Sequence, residues 1–125
     1  MKSKKIIIVI LFIIMSVSVL LIVYNQNRFS GQCIKSQDYY LLDIKQLNGK
    51  DEHKLNLTTS NILQIEFKTE KGSLQLEIIS PKGDIIYSGN GTEIFNFELN
   101  IPQDGTYTII VKGKHAKGLI QIKVK

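Results

Sequence analysis

The 125-residue sequence predicts an all-β fold: an antiparallel, jelly-roll-like β-sandwich of seven or eight strands, preceded by one N-terminal transmembrane helix. Three observations predict it. Residues 6–24 form one uncharged apolar run. After residue 38, apolar and polar residues alternate with the strand period of two. Groups rich in Gly, Pro and Asn break that alternation about every 8 to 12 residues, the spacing of a sandwich or barrel.

The apolar run comes first. Its 19 residues span roughly 28 Å as a helix, close to the ~30 Å hydrocarbon core of a bilayer. Lys2, Lys4 and Lys5 precede it, and only Arg28 and Lys35 follow closely. Positive charge stays on the cytoplasmic side. Residues 1–24 are therefore expected to be a cytoplasmic tip and anchor of a single-pass protein of the cell membrane, with the rest outside. A cleaved signal peptide is the rival reading, and Ser16-Val17-Ser18 has the small-x-small form of a cleavage site. Cutting there leaves Val19-Leu20-Leu21-Ile22-Val23 on the mature terminus, so an uncleaved anchor is expected. Cys33 lies nine residues beyond Tyr24 and follows Gln32, which does not fit a lipoprotein signal. The Gly and Glu of a pilin-like leader are absent too.

Residues 25–37 are polar and aperiodic and read as a stalk. Residues 38–125 read as the sandwich, with strands expected at 39–46, 52–58, 62–69, 73–80, 84–88, 93–100, 106–113 and 118–124. Leu63, Ile65 and Phe67 alternate with Gln64, Glu66 and Lys68, and Tyr107, Ile109 and Val111 with Thr106, Thr108 and Lys112. One apolar and one wet face per strand is the pattern of antiparallel sheets packed face to face. The punctuation is Asn48-Gly49, Lys71-Gly72, Pro81-Lys82-Gly83-Asp84, Gly89-Asn90-Gly91, Pro102-Gln103-Asp104-Gly105 and Lys117-Gly118, all read as turns. Ile62, Ile79, Ile86, Ile94, Ile110 and Leu119 fall on the nominally polar side and would form a contact patch if they cluster.

The net charge of +5 is unevenly placed. Residues 34–111 hold 7 Lys against 11 acids, whereas residues 112–125 hold five Lys and no acid. Lys112, Lys114, His115, Lys117, Lys123 and Lys125 are thus the candidate contact surface, toward anionic lipid or envelope polymers or as a solvated edge. Nucleic acid is not an expected partner, because the Lys are not interleaved with aromatics.

Catalytic signatures are missing. His53 and His115 are the only imidazoles and, with one Cys, do not make a zinc set. Both read as surface residues. No Gly-x-Ser-x-Gly elbow occurs, and Gly89-Asn90-Gly91 has no following helix to hold phosphate. Asp51-Glu52 reads as a solvated acidic pair in a turn. We therefore expect no enzyme, no metal and no cofactor. Cys33, the single cysteine, is the candidate for an intermolecular disulfide above the membrane.

Residues Gly72 to Gly83, with Ser80-Pro81-Lys82-Gly83 closing a strand, Asp104-Gly105-Thr106-Tyr107 opening one, and Gly118 to Val124 ending the chain carry a resemblance. Residues 61–125 resemble the pre-peptidase C-terminal-like sandwiches of exported bacterial proteins and are similar to membrane-anchored proteins of Gram-positive bacteria. The resemblance implies an accessory module that binds matrix, carbohydrate or a partner domain. Some members bind calcium, but the matching acidic cluster is absent here. The expected function is a non-catalytic, membrane-tethered extracytoplasmic binding domain at the bacterial envelope, with an envelope protein, a glycan or a second copy as partner. The alternative is a structural or accessory subunit of a membrane complex, held through its helix.

Overall fold

The computed structural model describes residues 2–24, 28–93 and 95–125; residues 25–27, at the start of the expected stalk, and Ile94, of the expected apolar patch, lie outside them. The chain runs α1 (Lys2–Tyr24), β1 (Arg28–Lys35), β2 (Tyr39–Leu57), β3 (Ile62–Ile79), β4 (Ile85–Gly89), β5 (Asn96–Asn100) and β6 (Gly105–Val124). It is a helix followed by an all-antiparallel, sandwich-like β domain.

In α1 the window Ser3–Leu20 has a mean hydropathy of 2.3, long and apolar enough to cross a membrane. Its apolar side chains lie open on every face, from Val17 at 49% to Phe12 at 73% exposure. A helix apolar all round is stable only when something apolar surrounds it. No strand does so: among the described residues α1 touches none of the six. Its two serines are satisfied internally, Ser16 Oγ donating to Phe12 O (3.0 Å) and Ser18 Oγ to Ile14 O (2.9 Å).

Three of the strands are far longer than the usual 3–10 residues, at 19, 18 and 20 for β2, β3 and β6. Each bends in the middle. Register shifts fall between Ile44 and Gly49 in β2 and between Thr69 and Ser73 in β3, opposite residues 113–118 of β6. The bends line up side by side. The first halves of β2 and β3 and the second half of β6 make one leaf, with β1 and β5 at its edges. The other halves make the second leaf, edged by β4. β6 is central, between β2 and β3 in both leaves.

The bends explain the lower strand count. Six strands are observed where seven or eight were expected, because Asn48-Gly49, Lys71-Gly72 and Lys117-Gly118 are bulged bends within strands, not chain reversals. A bulge needs the same glycine that a turn needs. Gly72 has φ +66°, and a Cβ there would sit 2.2 Å from His115 O. The bulge also flips the side-chain phase. Inward positions are Leu63, Ile65 and Phe67 before the bend and Leu74, Leu76 and Ile78 after it. Pro81 to Asp84 is a true reversal, closed by Ser80 N–H to Asp84 O (2.7 Å).

The expected stalk is corrected as well. Arg28–Lys35 is an edge strand, paired with Asn48 back to Tyr40 of β2. Its residues are all exposed and polar or aperiodic, which hid the pairing from a periodicity reading.

One core joins the two leaves, built from fully buried residues of all three long strands, Tyr40, Phe67 and Tyr107 among the largest. Tyr107 also pins the connection before β6, its hydroxyl donating to Gln103 O (2.6 Å). On the β4–β5 edge, Tyr87 and Phe97 stack with ring centroids 4.7 Å apart and close the gap between the leaves.

Candidate functional site

The opposite edge, along β1, is closed by polar side chains. In an antiparallel pair, directly opposed residues share a face. Lys35 opposes Tyr40 and Cys33 opposes Leu42, so Lys35 and Cys33 point to the inner side. In the second leaf Asp51 opposes buried Val111 and His53 opposes buried Ile109. Lys35, Asp51 and His53 thus meet Tyr40 at the rim between the leaves, with Cys33 exposed beside them.

Asp51 is the hub. The Tyr40 hydroxyl donates to Asp51 Oδ2, and Lys35 Nζ lies 3.2 Å from Asp51 Oδ1. Lys35 Nζ also donates to Glu52 O (2.9 Å). His53 packs on Tyr40 with centroids 5.1 Å apart, and its Nε2–H donates to Ser36 O (2.7 Å). Burial, reinforced by the hydrogen bond to Asp51 and by the charge of that carboxylate, pushes the Tyr40 phenol far above its ordinary range. Burial and Asp51 also push the Cys33 thiol up, against the opposing pull of Lys35. A neutral phenol and a carboxylate with both oxygens engaged form a clamp between leaves, and the exposed thiol beside them is not an activated nucleophile.

Two expectations change here. His53, read as a surface residue, is half-buried and bonded. Asp51-Glu52, read as a turn pair, lies on β2 with Asp51 inward. The phase carried the signal: counting back by twos from buried Leu57 and Leu55 reaches His53 and Asp51.

The clamp gives a pH prediction. The native Tyr40 phenol keeps its proton where the unfolded one ionises, so stability is complete below about pH 10 and falls above it, by about 1.4 kcal/mol per pH unit from this group. Tyr40→Phe is expected to lose about 1–3 kcal/mol at neutral pH, because Asp51 loses its donor, and to lack that alkaline slope. Urea midpoints measured between about pH 7 and 11 on both chains check it; equal slopes would refute the clamp.

The basic segment does not stay together. Lys114, His115 and Lys117 lie at the bends. His115, with φ 47°, is a bulge residue in the left-handed region. Lys112 lies on the outer face of the second leaf, 3.9 Å from Glu77. Lys123 and Lys125 lie on the first leaf at its far end, Lys125 3.9 Å from Glu98. The bends instead gather Lys45 and Lys71 beside Lys117 around an open basin of about 750 Å³. Sequence distance hid that grouping. Cys33 is exposed on β1. The out-of-phase residues do not merge: Ile62 and Leu119 sit half-buried on one leaf, Ile79 and Ile110 on the other, and Ile86 packs on the core. Among the described residues no three of His, Cys, Asp and Glu are grouped to hold a metal ion.

No protein-family model matches the chain, and no curated protein matches it in sequence. Solved structures do match. A crystal structure of Aeromonas hydrophila PliG, a periplasmic lysozyme inhibitor of g-type lysozyme, superposes with a TM-score of 0.53 at 12% identity, covering 76% of this chain and 93% of that one. A cupin domain from Bordetella pertussis Tohama I gives a TM-score of 0.34 at 11% identity, over 79% and 93%. The likeness to PliG is one of fold: a small all-β domain.

Proposed function

We propose that this chain is a non-catalytic binding domain, tethered by α1 to the outer side of a bacterial cell membrane, and that its sandwich binds a protein of the envelope. One observation carries the reading. The β domain encloses its own core, while among the described residues the apolar surface of α1 is exposed on all sides and touches no strand. That helix needs a lipid surrounding, and the sandwich does not need the helix. Lys2, Lys4 and Lys5 before the run and the sparse charge after it support a domain on the outer side. The fold is shared with an inhibitor whose partner is itself a protein, a lysozyme. The accessory role implied by the pre-peptidase C-terminal-like resemblance agrees with this. Confinement to a surface raises effective concentration, so a modest binding face suffices.

An exchange of the helix tests the proposal. Crosslinking and capture from intact cells is run with the native chain and with α1 replaced by an unrelated membrane span. Captured envelope proteins are expected to be the same for both. Loss of all of them with the foreign span would instead support a subunit held in a complex through its helix.

A further inference from the structure

We propose that the bend end of the sandwich is a membrane-docking face, resting on the anionic phosphate headgroups of the same bilayer that holds α1. This deepens the anchor reading and rests on it.

Chain geometry comes first. β1 begins at Arg28 opposite Asn48, between the bend residues Leu47 and Gly49, and runs away from the bends toward Lys35 opposite Tyr40. The polypeptide therefore enters the sandwich at its bend end. From Tyr24, the last residue of α1, to Arg28 is four peptide steps, a reach of at most about 14 Å. The bends cannot be far from the surface where the helix emerges.

Charge comes second. That end presents Lys45, Lys50, Lys71, Lys114 and Lys117, all exposed, together with Arg28. The acids among them are Asp43, Glu70 and Glu93, of which Glu70 is paired with Lys117 at 3.6 Å. The far end is near balance, with Asp38, Asp84 and Asp104 against Lys82, Lys123 and Lys125. The sandwich is thus polarised along its length, basic toward the helix and near neutral away from it.

The third observation is a cost. Lys71 lies directly opposite Lys117, and Lys50 directly opposite Lys112. Like charges facing each other across a ladder are destabilising. The fold carries this twice near one end, partly offset by Glu70 beside Lys117 and Glu77 beside Lys112, and a flat polyanionic surface relieves what remains. A cation held at such a surface shifts the docked-to-free ratio by about fivefold, and the effect decays within a Debye length of about 8–10 Å.

The test uses the full chain in vesicles of phosphatidylglycerol mixed with phosphatidylcholine, and in phosphatidylcholine alone. A membrane-impermeant acylating reagent is added outside, and each lysine's modification rate is read by mass spectrometry. Lys45, Lys71, Lys114 and Lys117 are expected to react several-fold more slowly in the anionic vesicles, with Lys54 and Lys82 unchanged, and high salt is expected to restore the rates. Equal rates in the two vesicles, with the chain floating on both, overturn the docking face and leave the anchor standing. Failure to float on either overturns the anchor and docking together. Protection by soluble polyphosphate on phosphatidylcholine vesicles, without protection by phosphatidylglycerol, overturns the lipid assignment in favour of a soluble polyanion.

Discussion

Gly72→Val is expected to destabilise the fold severely, with a loss of about 3 kcal/mol or more and a fall in Tm of over about 12 °C. Two costs combine. The backbone at Gly72 has φ +66°, a left-handed conformation that is a severe outlier for a β-branched residue. The new Cβ would also lie 2.2 Å from His115 O and 2.5 Å from Lys114 O, both backbone atoms of the central strand. Relief requires prising β6 away from β3 where Ser73 opposes Lys114. A domain whose whole stability is about 5–15 kcal/mol tolerates little of that. Gly83→Val is the control. Its φ of +93° is equally unsuited to valine, but no atom stands within 4 Å of the added Cβ. It is expected to cost only the backbone strain, about 1–3 kcal/mol. Circular-dichroism melts of both variants decide: comparable losses would mean that the bend tolerates the side chain and that strain alone matters.

Removal of residues 1–27 is expected to move the whole population from the membrane to the soluble fraction at high salt, where the basic bend end no longer holds, while leaving Tm within about 2 °C. The first effect follows from the 18-residue window of mean hydropathy 2.3. The second follows from packing: among the described residues α1 contributes nothing to the core and touches no strand. Each buried methylene is worth about 0.8 kcal/mol, so a helix that buries none against the sandwich has no stability to withdraw. Fractionation of cells and a melt of the truncated chain check both halves. A truncated chain that stays with membranes has a second attachment, and a large fall in Tm would mean that the helix packs on the sandwich.

Much of the fold was legible in residues that repeat a simple rule. Leu63, Ile65 and Phe67 announced a half-buried strand, and all three are buried. What escaped were the joins. Phe67 and Leu74 look like members of two strands because the inward phase changes from odd to even between them, yet a bulge at Lys71-Gly72 carries one strand through. Periodicity registers a phase change but not whether the chain reverses there. β1 escaped for a different reason. It is an edge strand, exposed along its whole length, so no apolar face was required of it. The clamp was half legible. Asp51 and His53 keep the phase of Leu55 and Leu57, but their partners Lys35, Ser36 and Tyr40 come from the end of β1, the β1–β2 connection and the start of β2, where only three-dimensional pairing reveals them. Likewise Lys45, Lys71 and Lys117 are brought together by three bends no local pattern marks as neighbours.

The central place of β6 governs how the molecule comes into being. β2 and β3 each pair with β6 over nearly their full length and do not pair with each other. The last strand in chain order is therefore the one that joins the earlier ones. Nothing emerging before it offers β2 or β3 their long partner, so a nascent or translocating chain carries two long unpaired ladders until residues up to Val124 have arrived. Such non-local closure is slow, and open strand edges invite pairing with other chains in the meantime. Synthesis order thus makes this domain fold only after its last strand has been made.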